Sequence, residues 1–325
     1  MHKLKILSLV AVFVSQALVS SAALAQAWPT KALRMIAILP PGGLADITAR
    51  IISPKLSEAL GQPVIVENRV GAGGNIGTDF VAKAPPDGHV LMIAVPPNAI
   101  NVTLYKTLPF DTKRDLAPVA LMGSVPNMLL ASAKSPFKSV KDLVEYARSN
   151  PGKLNFASPG TGTSVHLSGE LMKYQGKFLA MHIPFRGGPA AMTALLSGDV
   201  DFMFDSLAVG SVALSRAGKI RLLAVTTRQR SPFFPDTPTM IESGFDDFEV
   251  RAWTGIMTTG STPQPVLNRL ESEMRGILAM PDVLAAFEKL GMNVHFAPAR
   301  EFAAFMDAEI ERWGVAVKYS GAQVD

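Results

Sequence analysis

Three segments of this chain share one order: an apolar run, a glycine-containing turn, and then a helical pattern. The first runs from Met35 through Gly42-Gly43 to Ile52, and the other two follow the apolar runs 154–157 and 181–185. An apolar run that ends at a turn indicates a buried strand, and glycine permits the tight change of direction. This order is typical of α/β domains.

A helix that begins after such a turn can bind an anion, because its first backbone N–H groups have no helical acceptor. In the first segment these candidates are Gly42, Gly43, Leu44, Ala45 and Asp46. An ordinary βα turn is the alternative interpretation, since a glycine pair before a helix is a weak signal. Asp46 could pair with a ligand amine or cap its own helix, and the cap is favoured because a carboxylate repels an anionic ligand.

The second and third turns add side-chain donors to this pattern. Ser158, Thr161, Gly162 and Thr163 combine glycine with hydroxyl groups that can cap a helix or donate to a carboxylate. In the third turn, Arg186 precedes Gly187. The forked guanidinium group of arginine suits a carboxylate, and a solvated loop arginine is the alternative.

Two further polar residues follow apolar runs. Asp205 ends the run 200–205 and could bind a ligand amine or hold neighbouring loops. Asn98 follows the run 89–95 and Pro96-Pro97, where a loop could face a ligand or Asn98 could cap the turn.

Other parts of the chain raise enzymatic and nucleotide-binding alternatives. The glycine-rich stretch 71–77 is followed by only a short helical pattern, so a structural loop beside a cleft is favoured over a dinucleotide site. Ser158, His166 and Asp205 supply the residue types of a hydrolase triad, but the Gly-x-Ser-x-Gly motif is missing. His166 is interpreted as structural, and no metal or cofactor is expected.

The N-terminus has the parts of a secretory signal peptide. Lys3 and Lys5 are followed by an apolar stretch, 6–18, and by Ala23-Leu24-Ala25, so cleavage is predicted after Ala25. The chain has no cysteine, which excludes disulfides and thiolate metal sites, and export then suggests the periplasm. The net charge of +4 falls to +2 without the two lysines, and no basic run points to nucleic acid.

The length of 325 residues suggests two lobes. Lobe one is predicted at 26–125 plus 226–325 and lobe two at 126–225. The apolar run 253–257 is predicted to be the last strand, followed by helices at 263–278, 283–290 and 300–320. The last helix is amphipathic and should pack on lobe one.

With these residues in view, the chain resembles the extracytoplasmic solute receptors of tripartite tricarboxylate transporters, the Bug family. The resemblance covers almost the whole mature chain, in order. The matching stretches are Pro41-Gly42-Gly43-x-x-Asp46-x-x-Ala49-Arg50, the run from Gly61-Gln62-Pro63 to Ile76-Gly77, Pro86-Asp87-Gly88, the run from Leu154-Asn155 to His166-Leu167, Met203-Phe204-Asp205, and Pro235-Asp236-x-Pro238-Thr239 through Trp313-Gly314.

This resemblance implies a type II periplasmic-binding-protein fold, in which two α/β lobes close on a ligand cleft. It implies a monomeric, non-enzymatic receptor that delivers a small carboxylate, such as a dicarboxylate or an aromatic acid, to integral-membrane transporter subunits. Carried over, the carboxylate lies against residues 42–46 and Ser158, Thr161, Gly162 and Thr163, with Arg186, Gly187 and Asp205 on the far side. Ala45 stands where many relatives have Thr or Ser, and Phe185 where tyrosine is common, so the pocket is expected to be more apolar. A sensor partner on the same fold is the alternative, and a hydrolase is less favoured.

Overall fold

The computed structural model describes residues 28–206, 208–231, 234–320, 322 and 324. The predicted signal peptide, 1–25, and its cleavage site after Ala25 lie outside the described residues. The strands are β1 Leu33–Ala37, β2 Val64–Asn68, β3 Val90–Ala94, β4 Leu116–Pro126, β5 Met128–Ser132, β6 Leu154–Ser158, β7 Ala180–Pro184, β8 Phe202–Asp205, β9 Ile220–Val225, β10 Arg251–Thr259 and β11 Asn293–Pro298.

Helices connect these strands, and a 3₁₀ turn at Ala72–Gly74 precedes the second helix. The helices are α1 Leu44–Leu60, α2 Asn75–Ala82, α3 Pro97–Leu104, α4 Val140–Ser149, α5 Ser164–Gly176, α6 Gly188–Ser197, α7 Ala208–Arg216, α8 Gln264–Leu278, α9 Pro281–Glu288 and α10 Ala299–Ser320.

The strands form two sheets, each the centre of an α/β lobe. The first has the order β11-β4-β10-β3-β1-β2 and the second the order β7-β6-β8-β5-β9. In the first sheet β1 is parallel to both β2 and β3, and in the second β6 is parallel to both β7 and β8. Because the carboxyl ends of parallel strands share one edge of a sheet, the loops that follow them lie together at that edge, where α/β proteins bind ligands.

Apolar runs form the buried strands. Every residue of β3 is buried, as are four of the five residues of β1. The largest fully buried side chains include Phe156 of β6, Phe202 and Phe204 of β8, and Trp253 of β10. Strands that are apolar on both faces are covered by helices on both sides, which fixes the loops between them.

The chain passes between the sheets at Asn127 and Thr226. Asn127 lies between β4 and β5, and Thr226 follows β9. The N–H of Asn127 donates to Thr226 Oγ1 at 2.9 Å, and the N–H of Thr226 donates to the Asn127 carbonyl oxygen at 2.9 Å. Both residues are fully buried. Reciprocal hydrogen bonds between adjacent crossings form a narrow connection about which two lobes can close.

Two predictions about secondary structure are wrong. The run 253–257 is not the last strand, because β11 follows and pairs with β4 at the edge of the first sheet. An edge strand has less apolar surface to bury, so its sequence pattern is weaker. Pro96-Pro97-Asn98 does not form a loop, because α3 begins at Pro97. Proline suits the first helical position, where its missing N–H costs nothing.

The prediction that the terminal helix packs on the first lobe is confirmed. Helix α10 contacts α3 and β4 there, and it also contacts α5 of the second lobe. Among the helices in the described part of the chain, none is both long and apolar enough to cross a membrane.

Candidate functional site

The first glycine turn presents the N-terminus of α1. Gly42 has a φ of 77°, which favours glycine, and the Gly43 N–H closes the turn onto the Pro40 carbonyl oxygen at 3.2 Å. Gly43 is the N-cap, and the first helical hydrogen bond runs from the Ile47 N–H to its carbonyl oxygen. Helix geometry leaves the N–H groups of Leu44 and Ala45 without a helical acceptor.

Asp46 holds this turn in place. It is buried, and its carboxylate accepts hydrogen bonds from the Gly42 N–H, Arg50 Nε and Asn68 Nδ2, each at 3.0 Å. Burial acts to raise the pKa of Asp46, but the hydrogen bonds outweigh it, so the pKa lies below its usual value. The carboxylate is therefore ionised and holds the turn that precedes the helix, and its partner is the Gly42 N–H rather than a free N–H group of α1.

The second glycine turn presents the N-terminus of α5. Thr163 is the N-cap, and its hydroxyl accepts from the His166 N–H at 3.3 Å and donates to the Gly160 carbonyl oxygen at 2.8 Å. This cap uses one N–H of the first turn. The N–H groups of Ser164 and Val165 have no helical acceptor, and both residues line the cavity described below.

Buried His166 and half-buried His182 support the second turn from behind. His166 Nδ1 accepts from the Gly162 N–H at 3.2 Å, and His182 Nε2 lies 2.7 Å from Ser158 Oγ. The two imidazole rings stack with their centroids 4.0 Å apart. Burial lowers the pKa of His166 to about 3 and that of His182 to about 4, with nearby cationic groups contributing. Both rings are therefore neutral at pH 7, as His166 must be to accept from Gly162.

The third turn presents the N-terminus of α6. Gly187 is the N-cap with a φ of 106°, and its carbonyl oxygen accepts the first helical hydrogen bond, from Ala191. Pro189 has no N–H, so Gly188 and Ala190 supply the donors of this first turn. Gly187 and Gly188 line the cavity.

These three helix N-termini converge on one cavity between the two sheets, about 60 Å³ in volume. Apolar residues from both lobes form most of its walls, among them Val95, Pro96 and Pro97 after β3. The lining residues are Leu39, Pro40, Gly43, Leu44, Val95, Pro96, Pro97, Pro159, Thr163, Ser164, Val165, Gly187, Gly188, Asp205, Ser206 and Ala252. Backbone donors at one place in an apolar cavity can bind an anion without a metal or a cationic side chain.

Glycine residues allow the lobes to approach closely on both sides of this cavity. A methyl group on Gly187 would lie 3.1 Å from Pro40 Cβ. One on Gly162 would lie 2.7 Å from Leu104 Cδ2 and 2.9 Å from Asn101 Oδ1, both in α3 of the other lobe. The two lobes are therefore in direct contact on both sides of the cavity.

Five predicted site residues line the cavity, and eight lie behind or beside it. The lining residues are Gly43, Leu44, Thr163, Gly187 and Asp205. Gly42, Ala45, Asp46, Asn98, Ser158, Thr161, Gly162 and Arg186 are not among the lining residues. The predicted set did not include Ser164, Val165 and Gly188, which occupy the first helical positions after the caps Thr163 and Gly187.

The contacts of the outlying residues explain their positions. Asn98 is buried, and its side chain accepts from the Val95 N–H and donates to Thr78 Oγ1, each at 3.0 Å, so it holds the turn between β3 and α3. Ser158 is also fully buried, and its hydroxyl lies against His182 rather than His166. Arg186 is exposed to solvent beside the third turn.

Asp205 and the glycine-rich stretch 71–77 each contact another segment of the chain. The Asp205 carboxylate accepts a hydrogen bond from Ser211 Oγ at the start of α7. The glycine-rich stretch 71–77 lies beside the second lobe, because a methyl group on Gly73 would lie 3.3 Å from the Thr161 carbonyl oxygen. In the described part of the chain, no group of three or more His, Asp or Glu side chains could hold a metal ion.

Comparison with known proteins finds relatives along nearly the whole chain. A Pseudomonas sp. protein from the tcbD-tcbE intergenic region is 39% identical over 288 residues, which cover 88% of this chain and 85% of that protein. Protein BugT of Bordetella pertussis is 31% identical over 326 residues, covering both chains completely.

Solved structures agree in fold as well as sequence. An R. palustris protein with adipate is 32% identical, with a TM-score of 0.86 over 90% of this chain and 98% of that one. MatC from Rhodopseudomonas palustris with bound malate is 33% identical, with a TM-score of 0.83 over 89% of this chain and 100% of that one. The model of the tripartite tricarboxylate transporter family receptors matches residues 48–321. The chain therefore belongs to the tripartite tricarboxylate transporter receptor family, the Bug family.

Proposed function

We propose that the protein is a periplasmic receptor that binds one small organic carboxylate between its lobes and delivers it to membrane subunits of a tripartite tricarboxylate-type transporter. The observation that carries this proposal is the convergence of the α1, α5 and α6 N-termini on one cavity. Each helix end carries a partial positive charge and unpaired N–H donors, which together match a carboxylate.

The relatives support the same ligand class. Adipate and malate, which occur in the two R. palustris structures, are both carboxylates. Within this proposal the signal peptide is removed after Ala25, the mature protein is a monomer, and the lobes comprise 26–125 plus 226–325 and 126–225. The thirteen predicted ligand residues remain a prediction, with Gly43, Leu44, Thr163, Gly187 and Asp205 best placed because they line the cavity.

A thermal-shift screen of residues 26–325 tests the ligand class. The panel contains monocarboxylates, dicarboxylates, amino acids and neutral sugars, and chromatography of each mixture reports whether the compound is consumed. A ligand at one hundred times its Kd stabilises the folded state by about 2.7 kcal/mol, so a carboxylate should raise the midpoint clearly. Stabilisation by sugars alone, or consumption of the compound, would contradict the proposal.

A further inference from the structure

A second concavity lies beside the two crossings between the sheets. It has a volume of about 550 Å³ and shares no lining residue with the ligand cavity. Its walls come from the end of β4, the start of β10, the segment 227–231 and the residues 291–293 at the start of β11. Pro126 and Thr227 in these walls directly adjoin the crossing residues Asn127 and Thr226.

Arginine supplies the charge of this surface. Arg228, Arg230 and Arg251 line the concavity, and no Asp or Glu of the described residues lines it, so we call it the arginine groove. The three side chains are between 43% and 61% exposed. Forked guanidinium groups that are partly open to solvent suit carboxylates that come from another molecule.

Carboxylates outside the groove lining orient these arginines. Glu249 accepts from Arg228 Nε at 2.6 Å and from Arg251 Nη2 at 2.9 Å. Glu242 accepts from Arg230 Nε at 3.0 Å. Among the described residues, none accepts a hydrogen bond from Arg228 Nη1, Arg230 Nη2 or Arg251 Nη1. Each guanidinium is therefore held along one edge and keeps a terminal nitrogen that can donate to a bound group.

The pair of arginines on Glu249 carries more positive charge than its carboxylate offsets. Burial acts to raise the pKa of Glu249, but the hydrogen bonds from Arg228 and Arg251 outweigh it, so the pKa lies below its usual value. The single ionised carboxylate thus serves two cations. Asp247 adds a weak contact, because it is 87% exposed and lies 3.5 Å from Arg228 Nη2, at the limit of a hydrogen bond.

These two arginines also belong to different sides of the crossings. The Val225 N–H of β9 donates to the Pro238 carbonyl oxygen at 2.9 Å, and the Met240 N–H donates to the Val225 carbonyl oxygen at 2.8 Å. The loop that carries Arg228 therefore leaves β9 and returns to it, whereas Arg251 begins β10 of the first sheet. A group bound to both arginines bridges the second sheet and the first.

The arginine groove continues into a neighbouring concavity of about 560 Å³, because Ser124, Arg251 and Asn293 line both. The neighbour has Trp253 and Phe305 in its walls, together with charged groups of both signs. A small anion would contact only part of this open surface, whereas an extended peptide can run along it. Acidic peptide motifs are commonly recognised by clusters of arginine.

We propose that the arginine groove is a docking site for an acidic segment of a protein partner, one with two or more neighbouring Asp or Glu side chains. Carboxylates of that segment accept from the remaining guanidinium N–H groups, and such charge-assisted hydrogen bonds are among the strongest that proteins form. Complementary charge also speeds association and selects the partner. This docking does not depend on which compound the ligand cavity holds.

Fluorescence anisotropy with two matched peptides tests the docking on the mature protein. The probes are hexaglutamate and hexaglutamine, which carry the same dye at one end and an amide at the other, so that no terminal carboxylate is present. We expect hexaglutamate to bind at least tenfold more tightly than hexaglutamine. Its affinity should fall as salt is raised to about 0.15 M, because salt screens exposed charges.

Single substitutions locate the site. Arg228→Gln and Arg251→Gln should each weaken hexaglutamate binding about threefold, since a partly exposed ion pair contributes up to about fivefold. The control is Arg114→Gln, which makes the same charge change. Arg114 is exposed, pairs with Asp115 through Nε at 2.7 Å, and precedes β4, at the opposite end of that strand from the groove. We expect it to leave the affinity unchanged.

The variant Glu249→Gln should change affinity in the opposite direction. It removes the carboxylate that competes for Arg228 and Arg251, so hexaglutamate should bind about threefold more tightly. Glu311→Gln is the control, because Glu311 is exposed on α10 and is not among the lining residues of either concavity. A role of Glu249 in folding alone would not tighten binding.

Each contrary result overturns a stated part of the docking. Equal affinity for the two peptides would overturn it on the wild-type protein alone, whether or not the variants fold. Equal weakening by Arg114→Gln and Arg228→Gln would show attraction by overall charge rather than by the groove. Binding of pyrophosphate without binding of hexaglutamate would show a small-anion site instead. None of these results bears on carboxylate binding in the ligand cavity, which the thermal-shift screen measures separately.

Discussion

At the residue scale, the pair of His166 and His182 links the stability of the second lobe to pH. Their rings stack behind the α5 loop, and His166 Nδ1 holds the Gly162 N–H. Glu170 and Lys173 also face this pair, with Glu170 Oε1 3.9 Å from His166 Nε2. Burial favours the neutral rings, with pKa values of about 3 for His166 and about 4 for His182.

Stability should therefore fall on acidification. In the unfolded chain each histidine takes up a proton near pH 6.5, whereas in the folded protein each stays neutral to about pH 3–4. Between these values the unfolded state binds more protons, so each histidine lowers the unfolding free energy by up to about 1.4 kcal/mol per pH unit as pH falls. Above pH 6.5 both histidines are neutral in the folded and the unfolded state, so this loss of unfolding free energy is absent.

The His166→Asn variant isolates one of these protons, because the asparagine oxygen can replace Nδ1 as the acceptor for the Gly162 N–H. Urea unfolding from pH 7 to 4.5 should show a shallower slope, by about one proton, relative to wild type. Carboxylates titrate equally in both proteins and cancel in the difference. Identical pH slopes would show that His166 is not held neutral.

At the scale of the element, α10 is anchored by one buried carboxylate. Glu309 Oε2 accepts from the indole nitrogens of Trp253 at 2.8 Å and Trp313 at 2.9 Å, and Arg312 pairs with Oε1 at 2.7 Å. Trp253 belongs to β10, so this group joins the terminal helix to the centre of the first sheet. The amphipathic pattern predicted the helix and the lobe on which it packs, but not this polar contact.

Replacing Glu309 with alanine should destabilise the protein by about 3 kcal/mol. Two buried indole N–H groups lose their acceptor, and each unpaired group costs about 1–3 kcal/mol. Denaturant unfolding measures the loss, with Glu311→Ala as the control, since Glu311 is exposed on the same helix. A cost for Glu309→Ala no larger than that of the control would show that the carboxylate does not anchor α10.

At the scale of the whole molecule, closure depends on positions where the lobes meet without side chains. Gly162 has a φ of 80° and faces Leu104 and Asn101 across the lobe boundary. Gly152, in the same lobe, has a φ of 73° but no atom within 4 Å of an added methyl group. Substitution of either glycine strains the backbone, but only at position 162 does the new side chain contact the other lobe.

Gly162→Ala should therefore weaken ligand binding at least tenfold, while Gly152→Ala should not. Both substitutions should cost stability by about 1 kcal/mol or more, because alanine is strained at positive φ. Calorimetry with the best carboxylate measures affinity, and small-angle scattering measures the compaction on binding. Equal affinity and equal compaction in the two variants would show that contact at Gly162 does not govern closure.

The sequence by itself determined local structural features of this protein, namely buried strands, glycine turns and helix starts. Apolar runs indicated β1, β3 and β6, glycine marked the turns with positive φ, and Ser139 is a residue type that caps helices, as it does for α4, where it accepts from the Asp142 N–H. These features depend on residues a few positions apart, so their physical causes are visible in a short stretch of chain. The resemblance to a receptor family added the type II periplasmic-binding-protein fold.

Only the tertiary structure decided how these strands, turns and helix ends are placed relative to one another. Asp46 is held partly by Asn68, twenty-two residues away, and Ser158 contacts His182 rather than the nearer His166. The order of strands in the sheet places Asp205 beside the α5 loop and leaves Arg186 exposed outside the cavity lining. Burial and strand pairing join residues that are far apart in the chain. Local sequence patterns could therefore predict which helices begin with free N–H donors, but not which of these donors lie at the same cavity.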